Sequence, residues 1–233
     1  MGAEPDFRAL RRDDAEALLA MWNASAPFDP LGMELLEEKT WRDPGFDPGL
    51  ARVCEINGSL SAFGMAVLRE TGSGPRGVIK LLAVAVPYRR KGIGSRLLAT
   101  LESGLRKRGA VTARVCESPP NYLLPGVDMR CDASNRFFER HGYRPVGIAK
   151  NLSVGLDART FCVAEQEPAL AARAIACRRA SGTDRADIDD LLETHWPPWR
   201  DEVAASLENT PPSLHVAMHG KRVLGFAAWD ANN

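Results

Sequence analysis

The sequence predicts an α+β fold on three observations. Asn57-Gly58 separates two largely apolar runs, 51–56 and 60–68, which is the turn signal of a β-hairpin. Val78 to Val86 is apolar throughout apart from Lys80, as in a central strand covered on both faces. That run leads through Pro87 and the stretch Arg89-Arg90-Lys91-Gly92-Ile93-Gly94 into Ser95 to Leu105, where leucines at 97, 98, 101 and 105 recur at helical spacing.

The other elements follow in chain order. Phe7 to Arg12 reads as a short strand, and Asp13 or Asp14 can cap a helix through Leu18, Leu19 and Trp22. Pro27, Pro30 and Gly32 break that helix, a second follows from about Met33 to Trp41, and 43–49 is a loop rich in Asp, Pro and Gly. Thr71 to Pro75 is a second turn before the central strand. The helix after it ends near Arg106-Lys107-Arg108-Gly109, where cations suit the C-terminal dipole and glycine the cap. Val111 to Val115 is a further strand, ended by Pro119-Pro120 and followed by loop at Leu124 to Asp128. Asp132 is positioned to cap a helix from Ala133 to His141, with Phe137 and Phe138 inward and Gly142 as the stop. Tyr143 to Ile148 then leads into a strand expected to run on through Leu152, Val154 and Leu156.

After a linker at 161–172, with Glu165, Gln166, Glu167 and Pro168 beside each other, the pattern restarts. Ala174 to Arg179 echoes Ala9 to Arg12, each with a pair of arginines. Asp184 caps a helix through Ile188, Leu191 and Leu192, and Pro197-Pro198 opens another through Val203 and Leu207. Leu214 to Met218 and Val223 to Trp229 flank His219-Gly220-Lys221 as a second hairpin, with Gly225 near where Gly64 fell. The expected organisation is a domain at 1–160 and the N-terminal half of a second, similar domain at 173–233. The half unit is expected to come from a truncated tandem protein, and its apolar edge to pair with a partner, as in a homodimer.

The turn at 84 to 98 has the chemistry of an anion site. Gly92 and Gly94 carry no Cβ to hold a ligand off, so successive N–H groups can converge at a helix start. The helix dipole adds partial positive charge, and Arg89, Arg90, Lys91 and Arg96 add full charges. A phosphate or pyrophosphate fits such a turn; solvated arginines on an ordinary strand-to-helix turn are the plainer reading. No Gly-Lys-Ser or Gly-Lys-Thr closes a Walker loop, and the third glycine of a dinucleotide fingerprint is missing. The spacing Arg89-x-x-Gly92-x-Gly94 after a strand resembles the acyl-coenzyme A loop of the GCN5-related N-acetyltransferase (GNAT) superfamily, Arg/Gln-x-x-Gly-x-Gly/Ala. Phe137 to Tyr143, Phe-Phe-Glu-Arg-His-Gly-Tyr, resembles that family's closing Leu-Tyr-Glu-x-x-Gly-Phe. The order β-α-α-β-β-β-α-β-α-β is the family's too, and the resemblance covers roughly residues 5 to 160.

The resemblance implies a GNAT fold, a mixed, mostly antiparallel twisted sheet flanked by helices, followed by a partial second GNAT-like repeat. It implies acetyl-CoA as co-substrate, in the cleft where the strand ending at Val86 splays from the strand starting at Val111. The pyrophosphate would meet the amides of Lys91, Gly92, Ile93, Gly94, Ser95 and Arg96, beside Arg89 and Arg90. The main chain of Val84, Ala85 and Val86 would bond the pantetheine arm. The implied reaction is direct transfer of the acetyl group to the neutral amine of a small molecule, helped by a base and an acid. Phe138 stands where the family's usual acid is a tyrosine, and Cys131 where it often has asparagine. Tyr122 is the candidate acid and Glu117 the candidate base, each with a plainer reading: packing at the rim for Tyr122, a solvated strand end for Glu117. Cys116 and Cys131 read as acyl carriers, acids or, more plainly, buried structural thiols. His141 suits its helix C-terminus, His195, His215 and His219 show no partner residues in the sequence, and Trp196 and Trp199 are expected to pack in a core. The rival reading is a catalytically degenerate GNAT module that binds CoA or a protein partner as a scaffold.

Composition excludes several classes. Thirty basic residues balance thirty acidic ones over 233 positions, which argues against a general nucleic-acid or membrane-surface binder. The five cysteines lack C-x-x-C spacing, which points to no metal and to a reducing compartment. The apolar runs are too short to span a bilayer, and the first six residues lack an apolar signal core. The expectation is a cytoplasmic protein.

Overall fold

The computed structural model describes residues 4–72, 74–119, 121, 123–150, 155 and 163–230. The chain divides into two compact units, Met1–Ala149 and Lys150–Asn233. In the first, β1 (Asp6–Ala9), α1 (Ala15–Ser25), α2 (Met33–Lys39), β2 (Ala51–Ile56), β3 (Ser59–Arg69), β4 (Arg76–Val84), α3 (Ile93–Lys107), β5 (Thr112–Val115) and α4 (Asp132–Arg140) follow in order. The sheet order is β1-β2-β3-β4-β5. Every pairing is antiparallel except β4 with β5, which is parallel. This is the mixed, mostly antiparallel α+β arrangement expected.

Local chemistry sets the register. Ile56 pairs with Ser59 across Asn57 and Gly58, whose φ angles of 53° and 73° are both left-handed. Asparagine and glycine are the residues that tolerate such a pair, and this turn matches the twist of the strands it joins. One face of the sheet buries Phe63, Met65 and Val67 against Leu18, Trp22 and Leu36 of α1 and α2. The other buries Ala66 and Ile79 against Leu98, Leu101 and Leu105 of α3. Gly77 makes room there: a Cβ on it would lie 2.6 Å from Leu105 Cδ1.

Three expectations are corrected in this unit. The central strand ends at Val84, not Val86, because Pro87 fixes φ and donates no N–H, so Val86–Tyr88 tightens into a 3-10 turn. Asp132 opens α4 rather than capping it; its carboxylate pairs with Arg136 one turn on. No strand forms over 143–150. Pro145 removes a ladder donor, and Val146 and Ile148 stand 79% and 78% exposed. Leu152, Val154 and Leu156, expected in that strand, lie outside the described residues.

The second unit contains α5 (Glu167–Ala171), β6 (Ile175–Arg179), α6 (Arg185–His195), α7 (Arg200–Glu208), β7 (Leu214–His219) and β8 (Arg222–Ala228). Its antiparallel sheet runs β6-β7-β8 over a core of Ile188, Leu192, Val203, Leu214, Val216 and Val223. It reproduces a device of the first unit. Arg8 forks onto both oxygens of Asp14 at 2.7 Å, and Asp14 also accepts the Arg11 N–H. Arg178 forks onto Asp184 at 2.7 and 2.6 Å, and Asp184 accepts the Ser181 N–H. The true counterpart of Arg178 is therefore Arg8, not a member of the Arg11-Arg12 pair. Register likewise moves Gly225. It faces Ala217 across the strand pair as Ala62 faces Cys54, two places from the position of Gly64. Trp196 and Trp199 are 49% and 45% exposed rather than in the core, because the turn at Pro197–Trp199 carries them outside the helix faces that pack.

The Arg178 fork, then burial acting against it, then the Ser181 N–H set the Asp184 carboxyl, and the outcome is well below the usual carboxylate range. A depressed carboxylate contributes stability above its unfolded value, about 3.9, and loses it as pH falls through the folded one. An Asp184→Asn chain is therefore expected to melt below the unaltered chain at neutral pH, with the gap closing under about pH 4. A gap that does not change with pH would contradict this.

Candidate active site

The sheet opens between β4 and β5. Their register runs from Arg76 opposite Thr112 to Ile79 opposite Val115, and the last bond is from the Cys116 N–H to the Ile79 carbonyl at 2.9 Å. β4 continues to Val84. β5 turns away at Cys116 and Glu117, two successive non-glycine residues with left-handed φ of 60° and 28°. Opposite the vertex, Ala66 pairs with Ile79 and Met65 with Leu81, so Lys80 is the extra residue of a β-bulge. The Ala85 N–H bonds Ser61 of β3. Strand alternation then turns the backbone groups of Leu82 and Val84 to the open side. The Val84 carbonyl already accepts Arg89 Nε–H at 2.9 Å, and the carbonyls of Ala85 and Val86 accept the N–H groups of Tyr88 and Arg89. Leu82 is thus an open-edge residue that the sequence pattern did not single out.

The glycine turn lies at the far end of that edge. Gly92 is the N-cap of α3 at φ 81°, ψ −7°, with no side-chain cap. The conformation is left-handed, where glycine has no steric penalty, and a Cβ there would meet nothing within 4 Å. The first N–H groups of a helix have no intrahelical acceptor, so those of Ile93, Gly94 and Ser95 are available to an anion. Gly94 sits beside Phe137 and Val84, 3.4 and 3.5 Å from where its Cβ would be. The basic residues divide their work. Arg89 donates to the carbonyls of Val84 and Ser25 and so ties α1 to the turn. Arg96 lies over the Phe7 ring and Lys91 over Tyr88. Arg90 is exposed with a left-handed backbone. His141 caps α4 as expected, with Nδ1 at 2.8 Å from the Phe137 carbonyl. A carbonyl only accepts, so Nδ1 carries a proton, and a neutral ring then presents Nε2 as acceptor to Ser95 Oγ–H at 3.0 Å.

The candidates for proton handling have different settings. Glu117 is exposed and held by Arg114 at 2.6 Å. Tyr122 lies outside the described residues. Phe138 packs edge-on to Tyr143, and the Tyr143 hydroxyl donates to Glu102 at 3.0 Å; burial and that bond raise its pKa. Tyr143 therefore does not supply the hydroxyl that Phe138 lacks. Burial pushes the Cys116 thiol up to about 12 and also raises that of Cys131, so neither is a ready thiolate.

The chain has counterparts among known proteins. The model of the acetyltransferase (GNAT) family matches residues 11–143. The chain belongs to that family. An acetyltransferase of Pectobacterium atrosepticum is 30% identical over 130 residues, covering 52% of this chain and 82% of that protein. The fold is shared with the glucosamine N-acetyltransferase region of a fungal multi-domain GH3 β-N-acetylglucosaminidase, at TM-score 0.78 and 20% identity over 98% of this chain. This GNAT chain spans 29% of the length of that fungal one. An aminoglycoside N-acetyltransferase, AAC(6')-Iy, solved with CoA, superposes at TM-score 0.51 and 14% identity over 66% of this chain and 97% of its own. Family membership makes this GNAT protein an N-acetyltransferase, with acyl-CoA-dependent acetyl transfer as its general chemistry. Among the described residues no helix is long and apolar enough to cross a membrane.

Proposed function

We propose that residues 1–160 transfer an acetyl group from acetyl-CoA to the amine of a small molecule, with the β4–β5 split as the binding cleft. The observation that carries this is the uncapped, left-handed Gly92 turn at the mouth of an unpaired strand edge. In this reading the pyrophosphate rests on the N–H groups of Gly92, Ile93, Gly94 and Ser95, with Arg90, Lys91 and Arg96 supplying charge around it. Val84 and Leu82 hold the pantetheine arm by N–H and C=O groups in the manner of an added strand, while Arg89 fixes the strand end through the Val84 carbonyl. The thioester then lies toward the vertex at Lys80 and Cys116.

Acetyl-CoA supplies an acyl group on a good leaving group; the chain supplies position and protons. A neutral amine is the nucleophile, so a proton must be lost, and Glu117 beside the vertex is the proposed base. Tyr122, which follows β5 in the sequence, is the proposed acid. A Tyr122→Phe chain should bind acetyl-CoA as before and turn over at least about tenfold more slowly; full turnover would remove Tyr122 from the role. The decisive experiment is a screen of amines with acetyl-CoA and detection of the released thiol. Turnover with a small amine supports the reading, and none with any amine in the presence of bound acetyl-CoA contradicts it.

A second reading has its own support. Phe138 lacks the hydroxyl, Tyr143 is bonded to Glu102, and the Cys116 thiol is held protonated. A module that binds CoA without turning it over, with the 173–233 half unit pairing to a second copy, would fit these facts; size-exclusion mass measurement tests the pairing. Cytoplasmic location belongs with either reading.

A further inference from the structure

Beneath the vertex of the split lies a buried set of charges that the proposed chemistry does not use. The Asp43 side chain has no exposed area and that of Lys80 has 1%. Asp43 accepts two bonds from Arg69, at 3.0 and 2.9 Å, one from the Lys80 ammonium and one from the Gly45 N–H. Arg69 also donates to the Ser118 hydroxyl at 3.0 Å and reaches its carbonyl at 3.4 Å. Arg69 Nε is buried without an acceptor among the described residues, so Asp43 and Ser118 set the orientation of the fork.

Lys80 and Ser118 belong to the two walls of the split, and Arg69 and Asp43 connect them from neighbouring elements. Lys80 is the bulged residue of β4, Arg69 ends β3, and Asp43 belongs to the loop after α2. Ser118 follows the left-handed pair Cys116-Glu117, where β5 leaves. A second clamp acts on the same loop, since Lys39 Nζ donates to Asn121 Oδ1 at 2.8 Å and Asn121 Nδ2 donates to the Glu38 carbonyl at 2.7 Å. Left-handed backbone at two successive non-glycine residues persists only when its surroundings hold it. The Cys116 N–H to Ile79, the Glu117 N–H to Leu124 and the Arg69 Nη2–H to the Ser118 hydroxyl are those holds.

We propose that Asp43, acting through Arg69 and Lys80, is a positioning residue that sets the width of the β4–β5 vertex, and with it the enzyme's preference for acetyl-CoA over free CoA. This rests on the split being the acyl-CoA site. The two ligands share the pyrophosphate and pantetheine and differ only at the acyl end, so a change confined to the vertex alters their ratio and spares the common part. Damage to the fold as a whole lowers both affinities together.

The test is calorimetry of acetyl-CoA and CoA on the full chain, unaltered and with Ser118→Ala or Arg69→Gln. Ser118→Ala removes the hydroxyl bond to the β5 wall without touching a charge and leaves only the 3.4 Å carbonyl contact. Arg69→Gln leaves Asp43 paired one-to-one with Lys80, so no buried charge is stranded. The expected result is CoA affinity unchanged within about twofold and a preference for acetyl-CoA reduced about fivefold or more in both variants. Arg69→Lys, which keeps the charge and loses the fork, should recover only part of the preference. An unaltered ratio in both variants, with CoA still bound, overturns the positioning role and leaves the cleft assignment standing. Failure of the unaltered chain to bind either ligand overturns both.

Discussion

A Gly92→Val chain is expected to bind acetyl-CoA about ten- to a hundredfold more weakly while keeping its fold. Gly92 stands at φ 81° with open space beyond its missing Cβ. Valine does not collide with a neighbour there; it meets its own backbone, since a β-branched residue in the left-handed region costs roughly 1–2 kcal/mol. The turn relieves that strain by rotating, and rotation moves the first N–H groups of α3 off their common point. Each charge-assisted bond to a phosphate oxygen is worth about 1.5–3 kcal/mol, so one lost bond accounts for about tenfold and two for about a hundredfold. The helix itself keeps its packing through Ile93, Leu97, Leu98 and Leu101, all buried. Gly94→Ala is the contrast. Its Cβ would sit at ordinary contact distance from Phe137 and Val84, and affinity should change little. Equal loss in the two variants would show that side-chain bulk, not the backbone of residue 92, governs binding.

Replacing Asp43 with alanine is expected to cost the fold about 3–5 kcal/mol, because it strands two buried cations. Burial is the largest influence on Asp43 and pushes its pKa up; Arg69 and Lys80 together overcome it and hold the carboxyl below its usual range. For Lys80 burial wins over the attraction of Asp43, and its ammonium falls to about 8. Without Asp43 the ammonium falls further and the folded chain holds fewer protons than the unfolded one. Stability then rises with pH from the folded value of Lys80 up to its unfolded value of about 10.4. Denaturant melts of Asp43→Ala should therefore show recovery between neutral and alkaline pH. Asp43→Ala together with Lys80→Met should lose both the deficit at neutral pH attributable to Lys80 and the alkaline recovery. A single variant whose deficit is the same at all pH values would mean that Lys80 is not the stranded charge.

Much of the first unit was legible because its signals are local. Asn57-Gly58 fixes a hairpin with two residues, and the leucines of α3 mark one helix face without reference to anything else. Lys80 was visible as the one polar residue in an apolar run. What it does depends on Asp43, 37 positions earlier, and on a bulge that appears only when β3 and β4 are paired. Leu82 became part of the candidate site for a similar reason, since the side to which a backbone N–H points follows from register rather than residue type. No strand forms over 143–150 because alternating apolar residues predict a strand only where a neighbouring strand covers them. Val146 and Ile148 stand exposed instead. In the second unit the arginine pair misled by resemblance of letters, and the Asp184 fork showed which arginine corresponds to which.

On the proposed function, the Gly92 turn and the open edge of β4 form an acyl-CoA site. Titration calorimetry of acetyl-CoA into the full chain addresses it most directly. Saturable binding at one site per chain is predicted, with a dissociation constant below about 1 mM. Absence of binding up to that concentration would contradict it.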